Sequence, residues 1–203
     1  MSVNCKTKQY YSTNYKEYIS STQNVDMTEH YNRFLPYLSK GAKILDIGFG
    51  SGRDMLYFAS KGFNVFGVDN VGEFIDNAKA NGLNVELCDF HNLPYAEIFD
   101  GIWACASLLH SNDLSLAFNN LYKALKIGGY IYLSMKYGNG TNIENGRFYQ
   151  YIDEEKLKEL CKNSNLFIVE IYKSEDLLKR NNGWINTVLR KKWLMLLNKI
   201  EFL

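Results

Sequence analysis

Ile44-Leu45-Asp46-Ile47-Gly48-Phe49-Gly50-Ser51-Gly52-Arg53 is the stretch that decides the fold. A short apolar run gives way to glycines at every second position and then to a helical pattern beginning near Ser51, so a buried strand turns tightly into a helix. Glycine lets the backbone turn sharply and approach a ligand closely, but a turn of this kind also serves nicotinamide and flavin proteins. Asp46 narrows the choice. A carboxylate just before the first glycine suits a cationic amino group and repels a pyrophosphate, which favours an amino-acid-like ligand over a dinucleotide. Arg53 falls in the first helical turn, where the helix dipole disfavours a cation. It is expected to meet a ligand anion there, with a plain surface arginine as the alternative.

Outward from this turn, apolar runs at Lys43–Ile47, Asn64–Val68, Asn84–Leu87, Asp100–Ala104 and Tyr130–Met135 alternate with longer amphipathic stretches. Strands so separated are parallel neighbours joined by crossover helices, which predicts an α/β sheet with helices on both faces. Before the sheet, 26–38 reads as a helix with Tyr31, Phe34, Leu35 and Leu38 on one side. After it come a loop over 137–147, a helix over 153–162, and strands over 166–172 and 184–189 that can pair antiparallel. The charged connection 173–183 is long enough to cover a ligand. The expected layout is one domain: 1–40 an N-terminal lid and helix, 41–136 the cofactor-binding core, and 137–203 the acceptor-side loop, helix, terminal hairpin and tail.

Two more acids fall at strand ends. Asp69 closes the second strand, where a carboxylate can accept from both hydroxyls of a ribose, with Asn70 beside it. Asp89 follows the third strand and can accept from an adenine amino group, while Phe90 offers apolar contact. One such acid alone is as readily a helix cap. Ligands of open α/β sheets bind at the carboxyl ends of the strands, where Asp46, Asp69 and Asp89 would gather.

The Asp46-x-Gly48-x-Gly50-x-Gly52 turn, Asp69, Asp89 and the Leu125–Gly129 turn before the fifth strand together resemble the class I S-adenosylmethionine-dependent methyltransferases. Ser51–Asp54, Ile102–His110 and Ser134–Gly138 are similar to a small bacterial, tellurite-resistance-type subgroup. The resemblance implies a Rossmann-like sheet of seven strands with the last antiparallel. It implies S-adenosylmethionine as cofactor and S-adenosylhomocysteine as product, the methionyl part lying on Gly48, Phe49, Gly50 and Gly52 and facing Arg53. It also implies that Asp69 holds the ribose and that Asp89 and Phe90 hold the adenine. Phe49 and Gly72 depart from the family's usual residues, and neither change removes a side-chain hydrogen bond.

The fourth strand is expected to end near Ala104, bringing Ala104, Cys105 and the run to His110 beside the transferred methyl. His110 is the candidate general base for an O-methylation, since imidazole titrates near neutral pH; a packing or capping histidine is the alternative. Lys136, Tyr137, Arg147 and Tyr149 are candidates for the acceptor pocket, and the two cations suggest an anionic or phosphorylated small molecule. Tyr10, Tyr11, Tyr15 and Tyr18 are placed as an aromatic lid, Tyr18 toward the cofactor and Tyr15 toward the acceptor. Only two prolines, Pro36 and Pro94, are present, so neither the Pro-Pro motif of DNA amino-methyltransferases nor a Pro-Cys nucleophile exists. Three scattered histidines and four separated cysteines predict no metal site.

The 203 residues carry a formal net charge of +1, which gives no general attraction to nucleic acid. A tRNA nucleoside methyltransferase using Arg190, Lys191 and Lys192 against phosphates is the second reading, and a cofactor-binding interaction module without turnover is the third. No apolar run reaches the length of a membrane span, and Met1–Tyr18 has neither signal nor transit character, so a cytoplasmic protein is expected. The apolar tail, Trp193–Leu203, is expected to dock on the domain or to join two copies as a homodimer.

Overall fold

The computed structural model describes residues 3–179 and 183–192. Two helices come first, α1 (Val3–Thr13) and α2 (Tyr15–Thr22), then α3 (Thr28–Phe34). The core follows as β1 (Lys43–Ile47), α4 (Arg53–Ser60), β2 (Asn64–Asp69), α5 (Gly72–Ala80), β3 (Val85–Leu87), β4 (Phe99–Cys105), α6 (Leu114–Ala124) and β5 (Leu125–Lys136). The last part is β6 (Thr141–Glu144), β7 (Arg147–Gln150), α7 (Glu154–Asn163), β8 (Leu166–Ser174) and β9 (Trp184–Lys191).

Seven strands form one sheet in the order β3-β2-β1-β4-β5-β9-β8. β1 to β5 are parallel, and the final strand β9 runs antiparallel between β5 and β8. The chain winds outward both ways from β1 and β4, so their carboxyl ends flank the point where the strand order reverses, the place where open α/β sheets bind ligands.

Strand alternation sorts the core into two faces. Leu45, Ile47, Ile131, Leu133 and Met135 pack with α6 and α7 on one side. On the other, Ile44, Trp103, Tyr132 and Val188 pack with Tyr31 and Phe34 of α3, and Trp103 stacks on Tyr132 with ring centroids 3.9 Å apart. Asp46 shares this second face, because it pairs with Trp103 in register. Removing the Trp103 ring would cost about 3–5 kcal/mol of stability.

Several boundaries differ from the sequence reading. The expected helix 26–38 is α-helical only over Thr28–Phe34, because Pro36 cannot continue the ladder and the chain tightens into a 3₁₀ turn at Leu35–Tyr37. The expected loop 137–147 contains the β6–β7 hairpin, closed by Glu144 opposite Arg147 through Asn145 and Gly146, both at positive φ. Asn-Gly is a strong two-residue hairpin signal, so this element was readable.

The basic cluster also separates. Lys191 is 3% exposed, and its ammonium donates to the Tyr122 and Leu125 carbonyls and to Glu97, while Arg190 and Lys192 lie on the opposite, exposed side. Alternation along β9 therefore removes the continuous patch on which the tRNA reading drew. No helix among the described residues is long and apolar enough to cross a membrane. The tail at 193–203 lies outside the described residues.

Candidate active site

Gly48 and Gly50 have positive φ, 67° and 53°, which a side chain would strain. Space also excludes anything larger: a Cβ on Gly48 would lie 2.6 Å from the Ser107 Cβ, and one on Gly50 would lie 2.8 Å from the Tyr18 ring. The turn is thus packed between the strand that follows it in space, β4, and the second helix. Gly52 caps α4 in a left-handed conformation.

The acids gather around this turn. Asp69 accepts from the Gly50 N–H at 3.1 Å and the Val71 N–H at 3.0 Å, tying β2 to the turn. Burial pushes its pKa up to about 6 against those backbone donors. Asp89 accepts from Asn70 Nδ2 and from the His91 N–H. Asp46 is 2% exposed, and its Oδ2 has no hydrogen-bond donor among the described residues. Burial raises its pKa well above the ordinary value; Asp54 and Asp69 add to this and Arg53 opposes it. Such an acceptor is costly unless a ligand donor meets it.

Arg53 is held on three sides: it donates to both oxygens of Asp54, at 2.7 and 2.9 Å, and to the Thr22 carbonyl at 3.2 Å. Burial alone would lower its pKa, but Asp54 outweighs it and keeps the guanidinium charged. Asp54 also accepts from the Tyr31 hydroxyl and Trp103 Nε1. Arg53 is therefore neither a loose surface arginine nor free of a protein anion, and it still lines a cavity.

Two cavities meet here. The first is lined by Gly48, Gly50, Asp69, Asn70, Asp89 and Phe90. The second, about 430 Å³, is lined among others by Phe49, Arg53, Cys105, Lys136, Arg147 and Tyr149. Tyr11, Tyr18, Gly48, Ala106 and His110 line both. Five sequence candidates fall outside these linings: Asp46 and Gly52 at the glycine turn, and Ala104, Tyr15 and Tyr137. Ala104 is buried in the core on the Ile102 face of β4, opposite the face that carries Trp103 and Cys105. Tyr15 packs into an apolar cluster with Phe49 and Phe74, and Tyr137 is exposed with the Lys173 ammonium 3.8 Å over its ring.

His110 has both nitrogens engaged. Nδ1 lies 2.6 Å from the Phe148 carbonyl, which can only accept, so Nδ1 carries the proton. Nε2 therefore accepts from the Tyr11 hydroxyl at 2.9 Å. Burial pushes the His110 pKa down to about 4, Arg147 and Lys136 add to this, and the Phe148 carbonyl opposes it. The expectation of an imidazole titrating near neutrality is corrected by this burial, and Nε2, the nitrogen that would take a proton, is occupied by the Tyr11 hydroxyl. The same β7 residue fixes the lid, since the Phe148 N–H donates to Thr7 Oγ1 at 2.9 Å. Lys136, 5% exposed, places its ammonium 3.9 Å from the Tyr149 ring centroid, and Arg147 lies over Tyr10 with its Nε buried and, among the described residues, without an acceptor.

Sequence reasoning placed Ala106 and Ser107 only within the run to His110 and gave neither a role. Ala106 has φ 54°, a strained value for alanine, and Ser107 Oγ is buried beside the glycine turn without a partner among the described residues. It also missed Asp54 as the anchor of Arg53, although Ser51–Asp54 was quoted as a block. Nothing in one sequence signals His30, Ser134, Trp184 and Asn186 as cavity walls.

Residues 45–133 match the family model of the methyltransferase domain. The methyltransferase GfsG of Streptomyces halstedii is 34% identical over 102 residues, covering 45% of this chain and 37% of that protein. Phosphoethanolamine N-methyltransferase 1 of Triticum aestivum is 33% identical over 125 residues, covering 58% and 25%. The chain thus spans well under half the length of these curated relatives. Among solved structures, the Burkholderia thailandensis 1,6-didemethyltoxoflavin-N1-methyltransferase, with its substrate and S-adenosylhomocysteine bound, superposes with a TM-score of 0.78 at 20% identity, covering 93% of this chain and 88% of that one. The chain has the class I S-adenosylmethionine-dependent methyltransferase fold, with a match to the methyltransferase domain at its centre.

Proposed function

We propose that the protein transfers the methyl group of S-adenosylmethionine to a small anionic acceptor, at a hydroxyl oxygen, and releases S-adenosylhomocysteine. The observation that carries this is the shared wall: a cavity lined by the ribose and adenine candidates opens, past Tyr11, Tyr18, Gly48, Ala106 and His110, on one where Lys136, Arg147 and Tyr149 stand together, with the carboxylates Glu17, Asp54, Glu175 and Asp176 elsewhere on its wall. Group transfer needs two sites in such contact.

The residues fit the cofactor. The charged Arg53 on a cavity wall complements a carboxylate, and Asp69, Asp89 and Phe90 suit a nucleoside; the donorless Asp46 oxygen complements an amino group but lines neither cavity. Bound there, the cofactor supplies a methyl on a sulfonium, open to in-line displacement. The chain's own work is alignment, exclusion of water and removal of the acceptor proton. Lys136, Arg147 and Tyr149 hold the acceptor's anionic group. The Tyr11 oxygen takes the hydroxyl proton as its own passes to His110 Nε2. At pH 7 His110 is in its neutral, proton-accepting form, but its low pKa makes the driving force small, so its contribution lies at or below about 10²-fold. Kinship with the tellurite-resistance-type subgroup rests on Ser51–Asp54, Ile102–His110 and Ser134–Gly138 alone.

Calorimetry with S-adenosylhomocysteine and NAD tests the reading. S-adenosylhomocysteine is expected to bind and NAD to bind weakly or not at all; tighter binding of NAD overturns it.

A further inference from the structure

One buried imidazole in the second cavity is not used by the chemistry above. His30 lies on α3, is 5% exposed and lines the cavity beside Asn186 and Ser134. Its tautomer follows from its neighbours. With the Asn186 amide placed so that Oδ1 accepts from the Tyr132 hydroxyl at 2.9 Å and Nδ2 donates to Ser174 Oγ at 3.0 Å, the only phenolic proton of Tyr132 goes to Asn186. The Tyr132 oxygen, 2.9 Å from His30 Nδ1, must then accept from it, and the Tyr172 hydroxyl lies 2.7 Å from the same nitrogen. With the proton on Nδ1, Nε2 keeps a bare lone pair. No donor reaches Nε2 among the described residues. Burial lowers the pKa of His30, which keeps the ring neutral at pH 7. His110, by contrast, has both nitrogens occupied.

The sheet sets how far this acceptor nitrogen stands from the cations. Tyr132, Ser134 and Lys136 alternate along β5 and share a face, with Asn186 opposite Ser134 and Trp184 opposite Lys136 on β9. Four residues of strand separate Tyr132 from Lys136 by about 13 Å. The cavity floor therefore has a cationic end at Lys136 and Arg147 and a hydrogen-bond-accepting end at His30, with Ser134 between.

From this geometry we infer that His30 recognises a hydrogen-bond donor on the acceptor, which is an elongated anion bearing a hydroxyl or N–H group at the end opposite its charge. The inference rests on the second cavity being the acceptor site. Its probes are phenylpropionate and the para-hydroxy counterpart, titrated by NMR into the protein saturated with S-adenosylhomocysteine. The hydroxylated ligand binds tighter by about tenfold, because the lone pair of Nε2 is otherwise left without a donor. His30→Leu removes this preference while leaving the affinities for phenylpropionate and S-adenosylhomocysteine unchanged. Lys136→Met weakens both probes alike.

Imidazole ¹⁵N spectra of the wild-type protein give a readout that does not depend on the variant folding. They show His30 protonated at Nδ1, with the Nε2 resonance moving only on addition of the hydroxylated probe. Protonation at Nε2, a preference that survives His30→Leu, or no binding of either probe to the S-adenosylhomocysteine complex overturns the inference. A protein that binds both probes with the stated preference but no S-adenosylhomocysteine overturns the methyl-transfer reading and leaves the His30 assignment standing.

Discussion

The two cavities are built in opposite ways. The first takes its residues from consecutive strand ends, Gly48 and Gly50 after β1, Asp69 and Asn70 after β2, Asp89 and Phe90 after β3, each within a short reach of a strand that the apolar pattern reveals. The second is assembled from segments far apart in the chain: Tyr11 from α1, His30 from α3, His110 from the turn after β4, Lys136 from β5, Arg147 and Tyr149 from the hairpin, and Asn186 from β9. A site of the first kind follows once strands are recognised as parallel, because topology alone brings their ends together. A site of the second kind depends on how distant side chains pack, which one-dimensional periodicity does not encode.

The sharpest way to break the contrast is at the backbone of the first cavity. Gly48→Val places a side chain against Ser107 at positive φ, and cofactor affinity is expected to fall at least about 10²-fold, with a stability loss of about 1–3 kcal/mol, by calorimetry and thermal unfolding. A variant that binds S-adenosylhomocysteine normally would show that the turn does not touch the cofactor. Next in size, Asp69→Ala is expected to weaken binding by about 1.5–3 kcal/mol through lost hydrogen bonds to the charged carboxylate. An unchanged dissociation constant would move the ribose elsewhere.

The second cavity responds differently. His110→Ala and Tyr11→Phe are each expected to lower turnover about tenfold while cofactor affinity stays near native, if the pair takes the acceptor proton as proposed. Because burial sets the His110 pKa near 4, native turnover should show no limb from this group between pH 5 and 8, only a fall as pH drops through about 4. Native turnover in both variants would leave the pair as a latch for the lid.

The smallest effect is on pH. Asp69 has a folded pKa of about 6, and ribose donors favour its ionised form, so cofactor binding expels a proton below that pH. Affinity is therefore constant above pH 7 and declines, by less than about tenfold, between pH 6 and 5. The same raised pKa means that Asp69 favours the folded state more as pH falls from about 6 toward 4, opposite to the cofactor effect. Affinity that rises on acidification would contradict the ribose assignment.

The legibility of the molecule follows the same division. The parallel α/β layout, the glycine turn and the three acids at strand ends were readable because strand alternation and strand-end chemistry are local. Arg53 was half readable: its need for an anion followed from the dipole, but its first partner is Asp54, the next residue in the chain. His110 was located, yet its role changed because Tyr11 and Phe148 come from elements 99 and 38 residues away. Lys191 looked basic and turned inward, since adjacent strand residues face opposite sides. The hairpin that supplies Arg147 and Tyr149 was missed although Asn145-Gly146 marked it.

The central claim is that the shared wall joins a methyl donor to a small anion. Incubation of the protein with methyl-labelled S-adenosylmethionine and a cell extract, fractionated by size and on an anion exchanger, tests it most directly. Label in a small, anion-exchanger-retained compound is the predicted result. Label in RNA or protein, or no transfer by a protein that binds the cofactor, would contradict it.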